Sequence, residues 1–510
     1  MTDTPPPGEP PHDPPQPPAE PGEPGGPVPT NPELTVDSVI SKPLMEQMAA
    51  AGDRPLGVVV EVRYRFDGGT EAARLRVAEL VAEIDTDAPV RLTSSYVATR
   101  LTAAQLARLV AADAPAGRER TPPPSDEPAQ TPARAPRGAI HRIWPDFQTR
   151  PLITRSIVAT KCQAVHRAFD GTGRDVVWAV LDSGIDGGHA HFAAHANLAG
   201  MPHRSFVPEE PDPLADGAGH GTHVAGIIAG AQRLPDGAPP LLAATWWRDD
   251  PQTTRSRPVE LRDVSGMAPH TKLVSCKVLR RDETGDASAL LEALEYVQQL
   301  NQDGRDLRIH GVNISIGYPF DPTWFATGLT PVCQEVDRLV RTGVLVVVSA
   351  GNTGYGYALD PGRNAFRLGF DMTINDPGNA DLAVTVGSTS CDPHLTGVSY
   401  FSSKGPTGDG RLKPDLVAPG ERVISAAAGD LLRKATAEVA GATYVENSGT
   451  SMSAPHVSGA AAGFLSVHRE YIGRPAEVKR VLMGTATDLG RAQVFQGAGA
   501  LDAMRAIQSV

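Results

Sequence analysis

Gly449-Thr450-Ser451-Met452-Ser453-Ala454-Pro455-His456 runs directly into Val457-Ser458-Gly459-Ala460-Ala461-Ala462, which sets a serine at the mouth of an Ala-rich helix. The first N–H groups of a helix lack intrahelical partners, and the helix dipole is positive at that end, so negative charge is favoured there. A serine so placed suits acyl transfer, in which its hydroxyl attacks and an oxyanion develops beside it. Pro455 is expected in the first helical turn, where its missing N–H forfeits no intrahelical bond.

Working outward from this helix, apolar runs alternate with helical stretches from about residue 152 to the end. The runs are Val176-Val177-Trp178-Ala179-Val180-Leu181, Lys272 to Leu279, Val312-Asn313-Ile314-Ser315-Ile316, Val344-Leu345-Val346-Val347-Val348 and Leu382-Ala383-Val384-Thr385-Val386. Near-continuous apolar runs imply strands buried on both faces, hence an α/β fold with a mostly parallel sheet flanked by helices. Ligands bind such sheets beyond the carboxyl ends of the strands, so the chemistry is sought in the residues that follow each run. Asp182 follows the first, in Asp182-Ser183-Gly184-Ile185-Asp186, and Asn352 follows the fourth, in Ser349-Ala350-Gly351-Asn352. Between them His220 opens a helix in Gly219-His220-Gly221-Thr222-His223-Val224-Ala225-Gly226.

A serine hydroxyl is a poor nucleophile until a base takes its proton, and imidazole titrates in the range that suits this. His220 fits that role, and Asp182 at a strand end can fix its tautomer and stabilise its positive charge. The Asn352 amide and the Ser451 backbone N–H can serve as oxyanion donors. An esterase or lipase of the α/β-hydrolase type would need a Gly-x-Ser-x-Gly elbow and the order Ser…Asp…His, and this chain has the opposite order. A binding protein built on an inactivated enzyme fold would be expected to have lost one of the three groups, and all are present.

The order Asp…His…Ser, the motifs around Asp182, His220 and Ser451, and Ala350-Gly351-Asn352 together resemble the subtilisin-like serine proteases, the subtilases, over about residues 152–510. Gly266-Met267-Ala268-Pro269, Phe401-Ser402-Ser403-Lys404-Gly405-Pro406 and Lys413-Pro414-Asp415-Leu416-Val417-Ala418-Pro419-Gly420 extend the likeness. The resemblance implies a serine endopeptidase with Asp182 as orienter, His220 as base and acid, Ser451 as nucleophile and Asn352 as oxyanion donor. It also implies a peptide substrate paired as an added strand with the edge Ser315-Ile316-Gly317. No cofactor or metal is expected: the tract where many relatives bind calcium has no Asp/Asn-rich ligand pattern here.

Upstream, residues 1–54 read as a Pro-rich disordered leader. Residues 55–146 read as a small α+β unit: a strand at Gly57 to Tyr64, a helix at Glu71 to Ile84, a strand at Val90 to Leu101 and a helix at Thr102 to Ala112. The last helix opens with the capping-box pattern Thr102-Ala103-Ala104-Gln105. A Pro-rich insertion, 114–138, precedes a last strand at Ala139 to Trp144. This order resembles the subtilase prodomain, which implies an intramolecular inhibitor and a zymogen.

The 510 residues carry a formal charge of −12, which argues against nucleic acid as a partner. The N-terminus lacks the basic and apolar regions of a secretory signal and no apolar run reaches membrane-spanning length, so no membrane association and a cytoplasmic location are expected. Cys162, Cys276, Cys333 and Cys391 are scattered, without metal-type spacing, and read as reduced, with Cys276 in the core. His223, one turn beyond His220, reads as a core histidine. His189, His191 and His195 lack the neighbouring acid or thiol that would complete a metal site. The tract Gly230 to Gly266, with Trp246-Trp247, reads as a surface insertion.

Overall fold

The computed structural model describes residues 39–63, 66–92, 95–113, 138–145, 155–235, 237–248, 254–321, 326–359, 365–392 and 397–510. The chain divides into two compact units between residues 150 and 151.

In the first unit, helix α1 (Lys42–Ala51) is followed by β1 (Leu56–Val62), α2 (Gly69–Ile84), β2 (Arg91–Leu92), β3 (Tyr96–Leu101), α3 (Ala103–Asp113) and β4 (Ile140–Pro145). The strands form an antiparallel sheet in the order β2-β3-β1-β4. Val58, Val60 and Val62 alternate inward along β1, while α2 turns Ala73, Val77, Leu80 and Val81 onto the same core. The Thr102–Gln105 capping box forms: each side chain accepts the other residue's backbone N–H, at 3.2 and 2.8 Å.

Two expectations need correction. The stretch Val90 to Leu101 is not one strand, because β2 and β3 pair with each other antiparallel; the polar Thr93-Ser94-Ser95 interrupts its apolar alternation. The leader expected to be disordered through residue 54 carries α1, which buries Leu44 in the core of this unit. Proline density falls after Pro43, and Leu44 and Met48 supply the i, i+4 apolar pair that a Pro-rich tail lacks. Residues 1–38 and 114–137, which include the rest of the leader and nearly all of the insertion, lie outside the described residues.

The second unit contains, in chain order, β5 (Val177–Asp182), β6 (Arg204–Ser205), α4 (His220–Ile228), β7 (Leu241–Arg248), β8 (Thr254–Leu261), β9 (Lys272–Lys277), α5 (Ala287–Leu300) and β10 (Gly311–Ile314). It continues with α6 (Pro331–Arg341), β11 (Leu345–Ser349), β12 (Tyr355–Leu359), β13 (Ala365–Gly369), β14 (Val384–Thr389), β15 (Leu416–Pro419), β16 (Val423–Ala426), β17 (Ala442–Asn447) and α7 (Thr450–Val467). Seven strands form one parallel sheet in the order β15-β14-β11-β10-β5-β9-β6. Both faces are covered: Trp178 and Val180 of β5 pack into a core with Val224 and Val457, and Ala179 and Leu181 into another with Leu294 and Val336. Continuous apolar strands result from that two-sided burial.

The tract between Gly230 and Gly266 is not a loose excursion. β7 and β8 pair antiparallel, and β7 adds parallel to β17, giving a second sheet in the order β16-β17-β7-β8. Tyr355 to Asn375 likewise contains a hairpin, β12 with β13. All four cysteines are free and buried, Cys276 completely.

Candidate active site

The site gathers at the carboxyl ends of adjacent parallel strands. Asp182 is the last residue of β5, Ser315 directly follows β10, Asn352 lies three residues beyond β11, and His220 and Ser451 stand at the N-termini of α4 and α7. The chain enters α4 through Gly219 at φ +96°, where an added Cβ would lie 2.2 Å from the Ala428 carbonyl oxygen. A left-handed turn against another backbone admits only glycine.

His220 Nδ1 and Asp182 Oδ1 are 2.7 Å apart, and the Ser183 N–H donates to the same carboxylate oxygen at 2.8 Å. Asp182 is buried, and its Oδ2 has no hydrogen-bond partner among the described residues, so His220 is the only side chain bonded to this carboxylate. Burial pulls the imidazole down, but the charge and hydrogen bond of Asp182, aided by Glu283 and Asp216, outweigh it and raise His220 to about 9.

A second buried carboxylate ties α4 to the end of β5. Asp216 accepts from the Ser183 hydroxyl at 2.9 Å, the Gly219 N–H at 2.7 Å, the Thr222 N–H at 2.8 Å and the Thr222 hydroxyl at 2.6 Å. The Ser183 oxygen accepts the Gly221 N–H at 2.9 Å. Burial pushes the Asp216 carboxyl up, against these donors. This network fixes the first turn of the helix on which His220 sits, and sequence reasoning missed it, although Ser183 and Thr222 lie inside the quoted motifs.

Pro455 is not in the first turn. Helix α7 begins at Thr450, so Pro455 is its sixth residue, and its missing N–H leaves the Ser451 carbonyl without the usual partner four residues on. The Ser315 hydroxyl fills the gap, donating to the Ser451 carbonyl at 2.9 Å, while the Ser451 hydroxyl donates to the Ser315 carbonyl at 2.7 Å. The Ser315 hydroxyl also accepts from the Asn313 amide, whose oxygen takes the Ser458 hydroxyl, both at 2.8 Å. Ser451 is therefore locked reciprocally to Ser315, and its hydroxyl is turned to that carbonyl rather than to His220.

Asn352 is oriented by Thr450. Its Oδ1 accepts the Thr450 N–H at 2.9 Å and the Thr450 hydroxyl at 3.1 Å, and the Thr450 oxygen accepts the Gly351 N–H at 3.1 Å. With the oxygen so engaged, the Asn352 NH₂ is left to donate elsewhere. Ser315, Ile316, Gly317, His220, Asn352, Thr450 and Ser451 all line one cleft of about 520 Å³, a volume typical of a ligand site. The seven residues singled out from sequence are thus brought together, except that Asp182 lies behind His220 rather than on the cleft wall.

Two other histidines singled out from the sequence, His223 and His191, have structural partners. His223 is buried with Nε2 3.0 Å from the Val445 carbonyl oxygen. His191 is buried against the Tyr444 hydroxyl and the Gly226 and Ala229 carbonyls. Among the described residues no group of three or more His, Cys, Asp or Glu is placed to hold a metal ion, and no helix is long and apolar enough to cross a membrane.

The same stretch of chain carries a family signature. The profile described as "Subtilase family" matches residues 173–500. Subtilisin E of Bacillus subtilis (strain 168) is 30% identical over 337 residues, covering 66% of this chain and 67% of that protein. Subtilisin of Bacillus pumilus is also 30% identical over 337 residues, covering 66% and 92%. Serine protease AprX of Bacillus subtilis (strain 168) is 27% identical over 383 residues, covering 72% and 74%. A parallel sheet that delivers these side chains to one cleft, and a match spanning nearly the whole unit that holds it, have one reading: the chain belongs to the subtilase family and is a subtilisin-like serine endopeptidase.

Proposed function

We propose that the chain hydrolyses peptide bonds through an acyl-Ser451 intermediate, with Asp182, His220 and Ser451 as triad and Asn352 as oxyanion donor. The observation that carries this reading is the 2.7 Å His220–Asp182 bond at the wall of the cleft that Ser451 and Asn352 also line. In the first step the Ser451 hydroxyl leaves the Ser315 carbonyl and gives its proton to His220 Nε2 as its oxygen attacks the scissile carbonyl. The carbonyl oxygen becomes an oxyanion held by the Asn352 NH₂ and the Ser451 N–H. His220 then protonates the leaving amine, and a water molecule repeats the sequence to free Ser451. An extended substrate would pair with Ser315-Ile316-Gly317.

Only neutral imidazole can take the serine proton, and a His220 raised to about 9 is mostly protonated at pH 7. The kcat/KM of peptide hydrolysis should therefore climb with pH and level off only near 9; a plateau reached by pH 6.5 would contradict this. The stability contribution runs the other way. A folded-state value above the unfolded one stabilises fully below about pH 6.5 and is lost as pH rises through 9.

We further propose that residues 55–146 act as an intramolecular inhibitor and that cleavage within 114–138 relieves it. Support comes from the order of strands and helices in that unit and from the Pro-rich, charge-mixed composition of the tract. A fluorophosphonate should label Ser451 of the intact chain slowly and of the cleaved chain faster. A folded, cleaved chain that never labels contradicts the serine reading. Equal labelling before and after cleavage contradicts the inhibitory one.

A further inference from the structure

Besides Ser315–Tyr318, the cleft is lined by the segment that leaves β9, which contributes Val278, Leu279, Glu283, Thr284, Gly285 and Asp286. It is rich in charge, and most of that charge is already matched. Asp286 is paired with Arg280 at 2.6 Å, and Arg281 with Asp430 at 3.0 Å. Asp282 accepts the Thr284 N–H at 3.0 Å and its hydroxyl at 2.6 Å. Among the described residues, Glu283 alone of these acids has a carboxylate with neither a hydrogen bond nor an ion pair.

The backbone holds it there. Glu283 has φ +63°, in the left-handed region, within a turn closed by its N–H to the Arg280 carbonyl at 3.0 Å and by the Arg280 N–H to the Thr284 carbonyl at 2.8 Å. Glycine suits that conformation best, so the glutamate side chain is kept at a backbone cost. Its charge is felt at His220, where it helps raise the imidazole.

We propose that Glu283 makes this cleft select lysine or arginine as the second residue on the acyl side of the scissile bond. The inference rests on the proposed hydrolysis at Ser451. Side chains of an extended substrate alternate between faces. On this proposal the first acyl-side residue, next to Ser451, is set against Ser349, Gly351, Thr353 and Asn375, which line the cleft without charge. Alternation then turns the second toward His220, Leu279 and Glu283, which line the same cleft. A cation there meets an unmatched carboxylate; a neutral side chain leaves it unmatched, and an acidic one is repelled.

The test uses the active protein and matched peptides that differ only in that second residue: lysine, arginine, norleucine or glutamate. The kcat/KM for lysine should exceed that for norleucine about three- to tenfold at low salt, chiefly through KM, and the advantage should shrink at high salt. In Glu283→Gln the ratio should fall to about one, and in Glu283→Lys the glutamate peptide should become the better substrate. Ratios are read within each enzyme, so a general loss of rate cancels. A ratio near one in the unaltered protein, or one that survives in Glu283→Gln, overturns the assignment while leaving Ser451 hydrolysis intact. Failure of every peptide to be cleaved in a Ser451-dependent way overturns both.

Discussion

Replacing Ser451 with alanine should lower kcat for peptide hydrolysis by ~10⁴ to 10⁶ and leave the fold unchanged. Among the described residues the hydroxyl makes one hydrogen bond, to the Ser315 carbonyl, whereas the backbone contact that anchors this turn, Ser315 Oγ to the Ser451 carbonyl, survives the substitution. The loss is thus one of chemistry rather than of stability, and circular dichroism together with turnover of a chromogenic peptide separates the two. Some rate above that in water should persist in Ser451→Ala, because the proposed oxyanion donors, the Asn352 amide and the residue 451 N–H, would remain in place. Adding Asn352→Ala should remove most of that remainder. Hydrolysis by Ser451→Ala at the unaltered rate would sink the nucleophile assignment.

Asp182→Asn should reduce kcat by about 10⁴ with little change in KM. The amide keeps the shape of the carboxylate but removes the charge that stabilises His220 in its protonated form. Presenting its NH₂ to Nδ1, it would also favour the tautomer that leaves no lone pair on Nε2 for the serine proton. Because Asp182 leads the interactions that raise His220, the acid limb of the surviving activity should move to lower pH in this variant. An unmoved pH profile, or a loss confined to KM, would show that Asp182 does not act through His220.

How much of this was legible in the sequence depends on how local the physics is. Asp182, His220, Asn352 and Ser451 each sit at a strand end or helix start whose neighbours announce it: an apolar run before, a glycine after, an Ala-rich helix beyond. The parallel sheet was legible for the same reason, since two-sided burial writes itself into consecutive residues. What escaped depends on contacts between distant segments. The reciprocal lock of Ser451 to Ser315 spans 136 residues, and the place of Pro455 in the second turn follows from where α7 starts, which no local signal gave. Thr450 was in view inside the octapeptide, but its hold on Asn352 appears only once β11 and α7 are side by side. The pairing of β7 with β17 is invisible for the same reason: the tract with Trp246-Trp247 reads as a surface insertion because the residues that receive β7 lie about two hundred positions away. Helix α1 escaped differently, since the proline content of the preceding residues masked a short amphipathic turn.

The sheet order β14-β11-β10-β5-β9 places strand ends side by side that the chain visits out of sequence. Asp182, His220, Ser315 and Asn352 all precede Ser451 in the chain. On the roles proposed above, a growing polypeptide would carry its base, its orienter, its binding edge and its oxyanion donor before the residue that attacks, which arrives on the helix that packs against β10, β11 and β14. With Ser451 as the nucleophile, the chain would stay chemically silent until about nine-tenths of it had been made, because α7 follows every strand of the sheet it packs against.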